Sequence, residues 1–175
     1  MWRILLRSLH NILLGIQVMS IFLTIFSGVI VFVLGQIVLK LLIEPIQGYK
    51  STVGDISIAL INHANVFFNP GVMKEEKMDA AATELRLLAS KLSAHVVLIP
   101  FYEKVASFFK LSTIQDVHEV KTQLIGLSNG LHDKGHPDSK VSLGEINERR
   151  AQKICRLLNI YVPENEKIYS ERNDA

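Results

Sequence analysis

His132, Asp133, His136 and Asp138 place two imidazoles and two carboxylates within seven residues, a donor set that suits a divalent metal or a general acid–base pair. The spacing argues against both. A helical HxxxH presents its rings on one face, but Gly135 and Pro137 interrupt any helix here, and no acidic residue stands where an HExxH motif needs its base. Residues 133–139 read as a solvated loop, and no metal or cofactor is expected.

The remaining reactive side chains have plainer readings. His63 and His95 fall on or beside apolar helical stripes, where an imidazole is a boundary residue. Asn62, Asn65 and Asn69 share a face near His63 and read as a solvated polar stripe. Ser128-Asn129-Gly130 lacks the GxSxG form and a strand to carry it, so it marks a helix end. The single cysteine, Cys155, excludes an internal disulfide framework and a CxxC metal site, and beside Leu157 and Leu158 it reads as packing. No catalytic residue is assigned, and no enzymatic activity is expected.

Arg149, Arg150, Lys153 and Arg156 form a basic run that can meet anionic lipid headgroups, diluted by Glu145 and Glu148. A net charge of +2 over 175 residues gives no footprint for nucleic acid, and none is expected as a partner.

The elements that must carry these residues divide into two kinds. Between Arg7 and Lys40 the chain has no Asp, Glu, Lys or Arg, and the apolar run 12–39 exceeds the ~20 residues with which a helix crosses a hydrocarbon core. A signal peptide has a shorter core and a cleavage site; here the pattern continues to Lys40, so the segment reads as a retained transmembrane anchor. Trp2, Arg3 and Arg7 suit one interface, Lys40 and Tyr49 the other. At about 100° per residue, His10, Gln17, Ser20, Thr24, Ser27, Gly28 and Gly35 fall within one arc of about 100°. Small and hydroxyl residues let helix backbones approach in lipid, so the stripe predicts a helix–helix interface with a second copy or a partner helix.

After Glu44-Pro45, read as a break or kink, the pattern is helical throughout. Val53, Ile56, Leu60, Ala64 and Phe67 predict a helix over 52–68, closed by Asn69-Pro70-Gly71. Met78, Ala81, Leu85, Leu88, Leu92 and Val96 form the inner stripe of a second helix over 75–98. Phe101, Val105 and Phe108 mark one face of a short helix ending near Lys110. Ser112 and Gln115 have capping-box form ahead of Ile114, Val117, Val120, Leu124, Leu127 and Leu131. Ser142 with Glu145 opens a last helix to about residue 161. The expected architecture is all-α: a transmembrane anchor and stalk over 1–44, a soluble antiparallel helical bundle of about five helices over 45–162, and a polar tail over 163–175.

Several stretches carry a further likeness: Leu42-Ile43-Glu44-Pro45-Ile46-Gln47 followed by Gly54-Asp55-Ile56, Asn65-Val66-Phe67-Phe68-Asn69-Pro70-Gly71, Glu84-Leu85-Arg86-Leu87-Leu88-Ala89, Ile99-Pro100-Phe101-Tyr102, and Leu124-Ile125-Gly126-Leu127-Ser128-Asn129. In these the chain resembles a loosely defined group of small bacterial membrane proteins with one N-terminal transmembrane helix. The resemblance implies a bacterial inner-membrane location and no particular activity.

Arg3 and Arg7 balance Lys40 and Lys50; the terminal amine favours an inside N-terminus, the unpaired thiol favours a reducing compartment for the domain, and the reading taken is a cytoplasmic domain. Together these features predict a non-enzymatic, membrane-tethered interaction or effector module that self-associates through its anchor or holds another protein near the bilayer. A membrane-damaging or pore-forming effector and, more distantly, a metal-dependent hydrolase using the His132 loop stay open as alternatives.

Overall fold

The computed structural model describes residues 2–133 and 141–161, with side chains at 2, 3 and from 13 onward. The expected tail over 163–175 and the loop residues His136 and Asp138 lie outside the described residues. Among those described, every regular element is a helix. The chain divides into two units, 1–43 and the remainder from Glu44.

The first unit is α1, Trp2–Val38, followed by a π-helical turn, Leu39–Ile43. α1 is long and apolar enough to cross a membrane, and its described side chains are exposed to the surroundings on every side. Where a break was expected at Glu44-Pro45, the chain remains helical: α2 begins at Glu44, directly after the π turn. Proline lacks an N–H and its ring crowds the carbonyl four residues back; the wider π turn, whose bonds reach one residue further, takes up that misfit.

The second unit comprises α2 (Glu44–Asn62), α3 (Ala64–Phe68), α4 (Glu75–Leu98), α5 (Tyr102–Phe109), α6 (Ile114–Gly130) and α7 (Leu143–Leu157). The predicted helix over 52–68 is thus two helices, parted at His63. α4 packs against α2 and α6, and α7 packs against α6 and α3. The inner stripe of α4 is buried from Met78 to Leu92, with Val96 half-buried, and faces Val117, Val120, Leu124, Leu127 and Leu131 from α6 and its end. Tyr49 is buried in this core, 2% exposed, which removes it from the interfacial role its place after the apolar run suggested.

Capping follows burial. Ser112 is buried, and its Oγ donates to the Leu157 carbonyl at 2.8 Å, so the cap of α6 falls to the exposed Thr113, whose Oγ1 accepts from Asp116 N at 3.1 Å. The Asp116 carboxylate completes the box by accepting from Thr113 N. Ser142 caps α7 as expected, accepting from Glu145 N at 3.1 Å.

The second unit closes around a polar seam. Asn147 on α7 is fully buried; its Nδ2 donates to the Phe67 carbonyl at 3.1 Å, and its Oδ1 accepts from Arg150 Nη1 at 3.3 Å. Arg150 Nη1 also donates to the Gly126 carbonyl at 2.8 Å. The close approach needs glycine: a Cβ at Gly144 would stand 2.6 Å from the Phe68 carbonyl oxygen. That atom is backbone and cannot rotate away, so Gly144→Ala is expected to destabilise the unit by about 1–3 kcal/mol through overpacking. Gly54→Ala, in an exposed stretch of α2 with no atom within 4 Å of the new methyl, should instead stabilise by roughly 0.5–1 kcal/mol. Denaturant unfolding of the full-length chain in mild detergent measures both, and a Gly144→Ala midpoint at or above that of the unchanged protein would contradict the packing.

Candidate functional site

The side chains with chemistry are, for the most part, committed to holding helices together. His132 Nε2 lies 3.3 Å from Asp79 Oδ1 on α4, both side chains largely exposed. Among the described residues no three of His, Cys, Asp and Glu come together as a metal site. His63, at the joint between α2 and α3, pairs with Glu84 of α4 at 2.7 Å. Asn69 turns back to donate to the Asn65 carbonyl at 3.0 Å. Ser128 is fully buried with its hydroxyl donating to the Ala82 carbonyl at 3.1 Å, a bond between α6 and α4. Burial pushes the Cys155 thiol up, away from the thiolate a nucleophile needs.

The basic run on α7 separates into different environments. Arg149 bonds Glu145 one turn back at 2.6 Å. Arg150 is half-buried in the seam described above. Lys153 reaches Glu119 on α6 at 2.5 Å, and Arg156 is exposed. The expected lipid-facing cluster therefore has two members, Arg150 and Lys153, that tie α7 to α6. Charge composition along one helix could not show this, because the partners lie 24 and 34 residues away in the chain.

Along α1 the hydroxyls turn inward to their own helix. Ser20 Oγ donates to the Gln17 carbonyl, Thr24 Oγ1 to Ser20 and Ser27 Oγ to Thr24, each at 2.9 Å. Apart from the helix's own backbone, no protein atom lies within 4 Å of the Cβ positions at Gly28 and Gly35, so the ridge is bare, as is Gly15 on the other side. It offers small volume and satisfied donors, which suits close helix approach better than ion coordination.

Two features escaped the sequence patterns. The first is a tight corner where Gly48 of α2 admits the His95 ring of α4, its Nδ1 2.7 Å from where a Cβ would stand. Beside it the rings of Tyr49 and Tyr102 lie 6.3 Å apart. Burial, and then the neighbouring Tyr49, push the Tyr102 phenol up, so it stays protonated and donates to the Ser112 carbonyl at 2.8 Å. The second is the rotation of α5. Phe101, Val105 and Phe108 mark one apolar face, but Tyr102 and Ala106 are the buried residues, while Val105 is half-buried and Phe101 and Phe108 are exposed. α5 leaves α4 at 104° through Phe101, which adopts the left-handed conformation at φ 51°. The buried Tyr102 hydrogen bond then fixes which side of α5 faces in.

The Lys153 hydrogen bond, followed by that from Gln123, holds the Glu119 carboxyl below its ordinary range. A carboxyl depressed in the folded state adds stability that is complete above its unfolded pKa and lost as pH falls through the folded one. Lys153→Met should therefore flatten the acid limb of the stability–pH curve and change neutral stability only slightly, as befits a solvent-screened pair. Glu148, pushed up chiefly by burial, is unaffected by that change. Superimposable acid limbs in urea titrations of the two proteins would show that the α6–α7 pair does not form.

Comparison with protein-family models, with curated proteins and with solved structures found no match, so the functional reading rests on the chain's own residues.

Proposed function

We propose that this chain is a membrane-tethered helical interaction module without catalytic activity. α1 is its single transmembrane anchor, and the helices from Glu44 onward form an antiparallel bundle on the cytoplasmic side of a bacterial inner membrane. The anchor self-associates through Gln17, Ser20, Thr24, Ser27, Gly28 and Gly35. In this reading the bilayer is the first partner and a second copy of the chain the next.

The observation that carries the reading is the exposure of α1. A helix of 37 residues spans about 55 Å at 1.5 Å per residue, more than the roughly 30 Å of a hydrocarbon core, and tilt absorbs the excess. Its described residues 13–38 are exposed throughout and predominantly apolar, with no charged side chain among them. Each large apolar side chain kept in water forgoes about 1.5–3 kcal/mol, a penalty that lipid removes. The bare ridge at Gly28 supports self-association, since hydrophobic burial gives nothing between helices in lipid and close backbone packing must supply the attraction. The sequential packing of α4, α6 and α7 supports the bundle.

Two measurements test this. Residues 1–40 fused to a soluble reporter should remain in the membrane pellet after carbonate extraction, and release of the reporter would refute the anchor. In an energy-transfer assay on the helix in a bacterial membrane, Gly28→Leu should weaken association by on the order of 1 kcal/mol, about fivefold in Kd. Gly15→Leu, on nearly the opposite side, should leave it unchanged. Equal effects at the two glycines, or a signal no greater than that of a polyleucine helix, would remove the stripe as a self-association face.

A further inference from the structure

The second unit displays a large apolar corner that its own fold does not use. At the end of α4 and along the outer face of α5, Val97, Leu98, Phe101 and Phe108 are 84%, 61%, 82% and 80% exposed. Phe101 is the sharpest case. It occupies a left-handed backbone conformation that disfavours any side chain with a Cβ by roughly 1–2 kcal/mol, where glycine or asparagine would be easier. Its ring makes no compensating burial within the unit, because the turn is held by the next residue, Tyr102, through the Ser112 carbonyl. Phe108 meets the Phe109 ring edge-on at 5.0 Å but stays 80% exposed, so neither ring is buried by the fold.

The position of the corner identifies its occupant. His95 and Tyr102, which flank it, pack on Gly48 and Tyr49 in the opening turns of α2. The corner therefore lies at the end of the second unit where the chain enters it, and in the anchor reading the tether keeps that unit close to the bilayer that α1 would cross. Lys104 and Lys110 are exposed on and just after α5, where their stems can lie along lipid while the ammonium groups stay among headgroup phosphates. Aromatic rings flanked by lysine are the chemistry of an interfacial contact.

Resting on the anchor reading, we propose that the α4–α5 corner is a second membrane contact, with Phe101 and Phe108 inserted into the interfacial layer of the bilayer that α1 crosses. The contact is with lipid and not with another protein, and it holds the second unit against the membrane.

The test uses the full-length chain in vesicles of zwitterionic and anionic phospholipid. The sole tryptophan, Trp2, is replaced by Trp2→Phe, and Phe108→Trp supplies the probe at an exposed position that the fold tolerates. Insertion predicts emission shifted to shorter wavelength and lost on introducing lipids that carry a quencher at shallow depth, with a smaller loss for a deep quencher. The same preparation is extracted with carbonate. Retained protein with water-like, unquenched emission overturns this proposal and leaves the anchor intact, whereas release of the protein overturns the anchor and this proposal with it. Short-wavelength emission that lipid quenchers do not reduce means that protein covers the corner, which also overturns it. In the otherwise unchanged chain, Phe101→Ser with Phe108→Ser should leave helicity unchanged and increase proteolytic access to the α4–α5 turn in vesicles; unchanged access would count against the contact.

Discussion

Asn147 sits at zero exposure where α3, α6 and α7 meet, and those helices can bury it there because its carboxamide is satisfied at both ends. A buried amide left without partners carries a penalty of about 1–3 kcal/mol. Here the Phe67 carbonyl accepts from one end of the amide and Arg150 donates to the other. Three glycines make the arrangement possible. A Cβ at Gly130 would stand 2.8 Å from Asn147 Oδ1, one at Gly126 3.1 Å from the Arg150 guanidinium, and one at Gly144 would meet the Phe68 carbonyl. The seam thus couples the end of α3 to α6 and α7, across 80 residues of chain between Phe67 and Asn147. A purely apolar contact would tolerate sliding; this one fixes register, since the amide has one orientation that serves both neighbours.

The parts legible in the sequence were those governed by a single helix. The stripe from Met78 to Leu92, the seam from Val117 to Leu131 and the cap at Ser142 depend on periodicity or on a local hydrogen bond, and all stand in the structure. What escaped depends on tertiary contacts. Ser112/Gln115 and Thr113/Asp116 both fit the capping pattern, and only the burial of Ser112 against Leu157 decides between them. α5, at eight residues, carries apolar side chains on two faces, so its period cannot select one; the Tyr102 hydrogen bond does. His95 against Gly48 shows in the sequence only as a glycine inside a helix.

The basic run on α7 bears on how this unit can approach a surface. Counted along the helix it is a cationic face; in the fold, Arg150 is drawn into the glycine seam and Lys153 is paired across to Glu119. Such pairs add little to stability when exposed, but they lower the free positive charge available to anionic headgroups. Apolar contact of the kind proposed for the α4–α5 corner acts at short range and is insensitive to salt, so it would suit a domain that a tether had already brought close.

The same logic of satisfied polar groups governs α1. A hydroxyl facing hydrocarbon with its proton unbonded would be costly, and the structure avoids this by turning each of Ser20, Thr24 and Ser27 onto its own helix backbone. Those bonds leave the three hydroxyls with no need of a partner's acceptor, so at their positions an interface would draw its energy from packing, while the Gln17 carboxamide could still bond across it. Packing in lipid depends on how closely two backbones can come, and that distance is set by the smallest residues on the facing side. Gly28 and Gly35 lie on the arc that the hydroxyls define, together with the Gln17 carboxamide, whereas Gln36 falls off it. In the proposed self-association, side-chain volume would govern how closely two copies of this face approach, and the backbone-bonded hydroxyls would keep the face compatible with lipid while it stands alone.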